Sequence, residues 1–397
     1  IMGNAPGLAA HLAKHPDWFD ILLTSQYRNI LEQTPATGDY LQYKDHEEEW
    51  IAALCRFRNE REFLIGTEIL MRKLSPIEGN NLLSATADTV LLTLIAAVRR
   101  RFERSHGQIA GSGMAILALG RYGSRDLTFG SDLDLIFLYD AEDLQAVSNG
   151  TKSHTAVVYY NRLAQRLVGA LEAPTGEGRL YAIDTRLRPG GKDSLLATSL
   201  AAFEKYFTES AWNFEKMALM RHRVIYADPG METKIEQAIR NIYQQPVDAG
   251  AFCTDVVQMR ERIALEHPPV DTWRAKYARG GFIDTLFLGQ SLAILHARQH
   301  PDLPQAQVTQ IFAKATEYGI IPEEEARKLT DAWTFQMHLS SLLRLCKRDF
   351  TEETAPPGLL ALLASSLEAT DYTHLKQMLL EHQQSVQNCF DHTLKGE

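Results

Sequence analysis

The sequence predicts an α+β protein: a small sheet with its own helices, flanked by a helical N-terminal segment and a C-terminal helical bundle. Three observations point there. Apolar residues recur at helical spacing to about residue 104, short apolar runs closed by glycine or proline fill the middle, and helical spacing returns from about residue 230. The expected units are therefore 1–104, 105–229 and 230–397.

In the first unit, APGLAAHLAKHPDWFDILL and WIAALCRFRNEREFLIGTEILM repeat at three-to-four spacing. Arg56, Arg58, Asn59, Glu60, Arg61 and Glu62 load one helix with charge, which is expected to form a solvated face. In the second unit, MAILALG (Met114–Gly120), LDLIFLYD and RLYAIDTRLRP (Arg179–Pro189) read as strands. TAVVYYNRLAQRLVGALEA (Thr155–Ala173) reads as a long helix, and TGEG (Thr175–Gly178) as the turn into the third strand. The third unit carries CTDVVQMRERIALEH, FIDTLFLGQSLAILHARQH, EEEARKLTDAWTFQMHLSSLLRLCKR and DYTHLKQMLLEHQQSVQNCF, separated by proline-bearing breaks. Helices so spaced assemble naturally as a bundle.

Composition narrows the partners. With 45% hydrophobic and 23% charged residues, the chain has ordinary globular usage. A net charge of −9 argues against a protein that grips nucleic acid by its phosphates, so a protein or small-molecule partner is expected. The four cysteines, Cys55, Cys253, Cys346 and Cys389, form no C-x-x-C pair and suit free buried thiols in a reducing cytoplasm. No secretory signal is visible, and the longest apolar run, Val90–Val98, is too short to span a bilayer. The expectation is a cytoplasmic protein with no membrane and no nucleic-acid partner. Opening on Ile1 rather than methionine, the chain is expected to be part of something longer.

The stretch GSDLDLIFLYD, Gly130–Asp140, carries the chemistry. Residues two apart on a strand share a face, so Asp132 and Asp134 present paired carboxylates. Such a pair repels unless it takes a proton or a cation, and Mg²⁺ favours carboxylate and phosphate oxygens. A D-x-D pair alone is weak, since surface acids at a strand end look the same. Its context is stronger. Gly123-Ser124 precede the pair, and a glycine–serine step lets a backbone N–H and a hydroxyl approach phosphate, ideally at a helix N-terminus. Asp184 follows in the third strand, and three acids on adjacent strands can hold two Mg²⁺ ions roughly 3.5–4 Å apart for in-line displacement at phosphorus. Arg186 and Arg188, alternating on that strand with Asp184, suit phosphate oxygens or a protein substrate, with charge balance of Asp184 as the plainer alternative.

This pattern resembles the nucleotidyltransferase superfamily of DNA polymerase beta. A narrower resemblance runs over most of the chain: ALGRYGSRDLTFGSDLDLIFLYD, YYNRLAQRLVGALEAPTGEGRLYAIDTRLRPGG, AWNFEKMALMRHRVIY, WRAKYARGGFIDTLFLGQ and RFRNEREFLIGTEIL are similar to glutamine synthetase adenylyltransferase. That family carries two similar halves, one attaching AMP from ATP to a tyrosine of glutamine synthetase and one removing it by phosphorolysis. ESAWNFEKMALMRHR and the opening APGLAAHLAKHPDWFD are similar to the adenylylating, C-terminal half.

The resemblance implies a two-ion mechanism with ATP as substrate. Asp132 and Asp134 bind both Mg²⁺ ions, and Asp184 completes the site that activates the tyrosine hydroxyl and accepts its proton. Gly123, Ser124, Ser131, Arg186 and Arg188 are the expected nucleotide-binding residues. It also implies that unit 105–229 is catalytic, that 1–104 packs on it, and that the bundle 230–397 is regulatory or substrate-binding. The implied effectors are the PII regulatory protein and glutamine. The alternatives are the adenylyl-removing half, a nucleic-acid nucleotidyltransferase, and a non-catalytic effector-sensing module. The sequence departs from the family at Leu286, where relatives carry a glutamate, and at His222, where a small residue is usual.

Other constellations read more plainly. His296 and His300 stand at zinc-like i, i+4 spacing without an evident third ligand, and read as a helix-end pair. Trp212 and Phe214 read as core rather than adenine-stacking residues. Lys276 and Arg279 suit either phosphate binding or a helix cap.

Overall fold

The computed structural model describes residues 2–23, 47–268, 276–346 and 354–396. Among these, a five-stranded mixed sheet holds the centre: β1 (Ser112–Ala118), β2 (Leu133–Ala141), β3 (Ile183–Asp184), β4 (Ala197–Ser199) and β5 (Arg223–Ala227). The order is β3-β2-β1-β5, with β1 antiparallel to both neighbours, while β3 and β4 both run parallel to β2. The first two expected strands form. The third shrinks to two residues because the chain curls into turns after Thr185. β4 and β5 are short and were not anticipated.

Strand parity divides the core. Met114, Ile116 and Ala118 of β1 and Leu133, Leu135, Phe137 and Tyr139 of β2 enter one apolar cluster. Ala115, Leu117, Ile136 and Leu138 enter the other. A strand covered on both faces needs an unbroken apolar run, which is what β2 carries after Asp134.

The helices before and between the first strands are α1 (Pro6–Lys14), α2 (Trp18–Leu23), α3 (Glu47–Leu70), α4 (Pro76–His106), the short α5 (Gly120–Gly123) and α6 (Ala156–Glu172). α3, α4 and α6 supply nearly half of the first cluster. The later helices are α7 (Leu200–Glu209), α8 (Asn213–Leu219), α9 (Met231–Tyr243), α10 (Ala249–Glu266), α11 (Phe282–His296), α12 (Val308–Glu317), α13 (Glu323–Cys346), α14 (Pro357–Ser366) and α15 (Tyr372–Lys395). α13 joins the two layers: Leu339 and Leu342 belong to the first cluster, Leu329 and Met337 to the second.

α4 starts on a capping box, in which Ser75 and Glu78 satisfy each other's backbone N–H, and ends on Gly107 at φ 68°. By length and composition alone its 31 residues would also pass for a membrane-crossing helix. Its surroundings are those of a core helix: Ser84 accepts from Leu127 N, Asn80 bonds Ser341, and Asp88 receives a two-pronged bond from Arg223.

α3 corrects another expectation. Its charged stretch is not a solvated face, because Asn59 and Arg61 are buried, Arg58, Glu60 and Glu62 are half-buried, and Arg56 alone of the six is exposed. Arg58 donates to Leu180 O and Asn59 Nδ2 to Glu177 O at 3.0 Å. These side chains satisfy carbonyls of the lead-in to β3 that no strand pairs, as buried backbone requires. Of the four cysteines, all free, Cys55 and Cys346 are buried and Cys253 and Cys389 half-buried.

Candidate active site

Asp134 and Asp184 are register partners across the parallel β2–β3 pair, and Asp132 stands exposed two residues before Asp134, just ahead of β2. The backbone bond from Leu133 N to Ala182 O, 2.9 Å, fixes this pairing. α5 closes over the same place. Gly120 has φ +56°, and a Cβ there would lie 2.1 Å from Asp134 Oδ2, so only glycine lets the helix start against the carboxylate.

Electrostatics separates the acids. Burial, then the charges of Asp132 and Asp184, push the Asp134 carboxyl up to about 6 from its ordinary 3.8. Asp184 moves the other way: hydrogen bonds from Arg186 hold its carboxyl below the ordinary value. Asp184 receives the Arg186 main-chain N–H at 2.8 Å, Nε at 2.9 and 2.7 Å to its two oxygens, and Nη2. A carboxylate so held is a weak proton acceptor, which counts against the base role expected for Asp184. Among the described residues, no three His, Cys, Asp or Glu side chains converge as a ready metal set. The donor chemistry nonetheless suits a hard divalent cation: Asp134 and Asp184 pair across neighbouring strands with Asp132 two residues off, and burial and the neighbouring acids make Asp134 resist ionisation.

The remaining expected residues divide. Gly123 and Ser124 sit at the C-terminal end of α5, not at a helix N-terminus, because the turn follows rather than precedes its single helical cycle. Their N–H groups donate to Leu119 O (2.8 Å) and Gly120 O (3.2 Å). Gly123 is needed because a Cβ would lie 1.8 Å from Arg221 O. The Ser124 hydroxyl accepts from Arg221 Nε at 2.6 Å, and Arg221 also bonds Asp126 at 3.2 Å. Ser124, Arg125, Asp126 and Arg221 line a cleft of about 180 Å³ together with Gln290 of α11 and Gln307, the N-cap of α12. Ser131 closes the turn before the acids, bonding Thr128 through both hydroxyl and N–H.

Arg186 and Arg188 do not share a strand face, since both fall in turns. Arg188 is 7% exposed. Its guanidinium donates to Thr185 O, Thr185 Oγ1, Lys192 O, Ser194 O and Leu195 O, at 2.8–3.1 Å, so it shapes the loop after β3 instead of facing phosphate. Arg221 was missed, although the repeated arginines of RHR were its only signal; burial lowers its pKa, and the Asp126 and Asp134 charges oppose that fall.

Trp212 corrects the core-packing expectation, being 70% exposed, with Phe214 at 39%. His300 stacks on Tyr318 at 3.8 Å, as a helix-end pair allows. Arg279 bonds Asp391 and lies over the Phe390 ring, which ties it to the bundle, while Lys276 lies over Tyr277. Leu286 packs half-buried against the second cluster.

Fold and site together define the class: two helical layers around a mixed sheet that presents three carboxylates at neighbouring strand starts. Comparison with known proteins narrows it. A model of the glutamate-ammonia ligase adenylyltransferase family matches residues 1–238. Over its whole length the chain is similar to bifunctional glutamine synthetase adenylyltransferase/adenylyl-removing enzymes. Identity is 36% for those of Xanthobacter autotrophicus and Bradyrhizobium diazoefficiens and 34% for that of Rhodopseudomonas palustris. The chain belongs to the glutamate-ammonia ligase adenylyltransferase family, and it spans 40–41% of the length of these relatives.

Proposed function

We propose that this chain transfers AMP from ATP to a tyrosine hydroxyl of glutamine synthetase, releasing pyrophosphate, with a polymerase-beta-like nucleotidyltransferase unit at 105–229. The observation that carries the reading is the register of Asp134 with Asp184, beside Asp132, in a chain of this family. Asp132, Asp134 and Asp184 would hold two Mg²⁺ ions, which when bound neutralise charge at the reacting phosphate and ease ionisation of a tyrosine hydroxyl of pKa about 10.

The chain's own residues do the positioning. Ser124 and Arg221 offer a hydroxyl and a fixed cation in the cleft to phosphate oxygens. Arg186 places an exposed guanidinium next to the acids. Gly123 lets the Arg221 backbone close on α5, and Ser131 sets the turn from which Asp132 departs. Arg188 holds the loop that carries Arg186. The bundle 230–397, with 1–104 packed on the catalytic unit, would read glutamine and the PII protein.

The relatives' names carry both attachment and removal of AMP, so the same acids also support phosphorolysis of adenylyl-tyrosine to ADP. Labelled ATP offered separately to glutamine synthetase and to RNA, and phosphate offered with adenylylated glutamine synthetase, separate the readings. Label on glutamine synthetase alone supports the proposal. ADP formation alone assigns the chain to removal, and label on RNA overturns both.

A further inference from the structure

Asp184 and Arg186 make an unusual pair for a cation site. Both Asp184 oxygens are covered by one neighbour's donors: the Arg186 main-chain N–H, Nε to each oxygen, and Nη2. A guanidinium and a hard divalent cation cannot hold the same two oxygens without facing each other's charge. The Arg186 side chain is 65% exposed, whereas that of Asp184 is 14% exposed. Among the described residues Arg186 donates hydrogen bonds to Asp184 alone, so release breaks only this pair. Arg188, two residues on, is the contrast: five bonds fix it in its loop. One arginine of this turn is built in, and the other is held by a single carboxylate.

We propose that Arg186 is a positioning residue that serves as the acid cluster's own counter-cation: a divalent cation displaces it from Asp184, and the freed guanidinium then takes a phosphate oxygen of the nucleotide. The inference rests on the reading of Asp132, Asp134 and Asp184 as a cation site. No covalent bond changes; one ion pair is exchanged for another. Its consequence is coupling. A cation arriving alone must displace Arg186 and leave it in water, while a cation arriving with a nucleotide supplies the guanidinium with a new anionic partner. The two ligands therefore bind more tightly together than apart. The geometry suits the exchange, because a fork that grips a carboxylate also grips phosphate.

The test measures Mn²⁺ binding to the intact chain by spin resonance, with and without a non-hydrolysable ATP analogue, in wild type, Arg186→Ala and Arg186→Lys. Arg186→Ala is expected to bind Mn²⁺ alone about three- to tenfold more tightly, as loss of a partly exposed charged fork implies. It should bind the analogue more weakly at saturating Mn²⁺ and lose the coupling between the two. Arg186→Lys should fall between. A merely structural ion pair would leave Mn²⁺ affinity unchanged or weaken it, and either result overturns the proposal. Asp134→Asn and Asp184→Asn keep the two levels distinct. If they abolish Mn²⁺ binding while Arg186→Ala leaves it unaltered, only the role of Arg186 fails. If they leave Mn²⁺ binding intact, the cation site fails and this inference with it.

Discussion

Asp134 on β2 faces Asp184 on β3 as its register partner, so two carboxylates stand side by side across a parallel strand pair. A sheet has no structural need for this. Like charges opposite one another destabilise it, and here the cost falls on Asp134, whose carboxyl is pushed up to about 6 by burial and its acidic neighbours.

The pH dependence of the cation-free chain follows. The folded chain holds the Asp134 proton more tightly than the unfolded chain, whose carboxyl has the ordinary value of 3.8. Stability should therefore fall as pH rises from about 4 to about 6 and stay lower above that. The rise corresponds to about 3 kcal/mol for a fully buried group, reduced to about 1–2 kcal/mol by solvent screening here. Asp134→Asn should be more stable than wild type by about that amount at pH 7.5, with the difference closing near pH 4. Urea denaturation across this range reads it, and a constant difference would contradict the placement.

Two glycines of α5 should be irreplaceable for different reasons. Gly120→Ala meets Asp134 Oδ2 at 2.1 Å in a left-handed conformation, and Gly123→Ala meets Arg221 O at 1.8 Å. Each is expected to cost about 2–3 kcal/mol by overpacking. Gly120→Ala should also weaken Mn²⁺ binding, because its clash falls on the carboxylate. Thermal unfolding together with Mn²⁺ titration distinguishes the two.

Arg188 and Arg186 should differ sharply in what they contribute to stability. Arg188→Ala leaves the carbonyls of Lys192, Ser194 and Leu195 without their donor in a half-closed loop, at a cost of about 2–3 kcal/mol. Arg186→Ala removes an exposed guanidinium that leaves few contacts behind and should change stability by less than about 1 kcal/mol. Equal losses in chemical denaturation would show that the loop is not held as described.

The buried Arg260–Asp284 pair should dominate the stability of the bundle. Both side chains are fully buried; Asp284 also accepts from Gly280 N at 2.6 Å, and Arg260 donates to Tyr277 O and Ala278 O. Asp284→Ala leaves an unpaired buried guanidinium and should cost about 3–5 kcal/mol. Combining it with Arg260→Met should recover part of that loss, which a double-mutant cycle measures.

The sequence made the acids and the two long strands legible because their signals are local. Parity put Asp132 and Asp134 together, and continuous apolar runs marked strands covered on both faces. Arg188 was misread because alternation was extended past Thr185, where the chain leaves the sheet and curls. β4 and β5 escaped because three and five residues are too few to show a period. The charged stretch of α3 misled because composition does not reveal that Arg58 and Asn59 satisfy the carbonyls of a loop more than a hundred residues away. Trp212 went wrong in the other sense: an aromatic residue was expected in the core, yet it sits exposed at the start of α8.

The most direct test of the central claim is AMP transfer itself. The chain, Mg²⁺ and ATP are incubated with unmodified glutamine synthetase, and peptide mass spectrometry looks for AMP on tyrosine, with Asp134→Asn alongside. The account predicts adenylyl-tyrosine with the wild-type chain and none with Asp134→Asn, although that variant stays folded. Equal modification by both would contradict it.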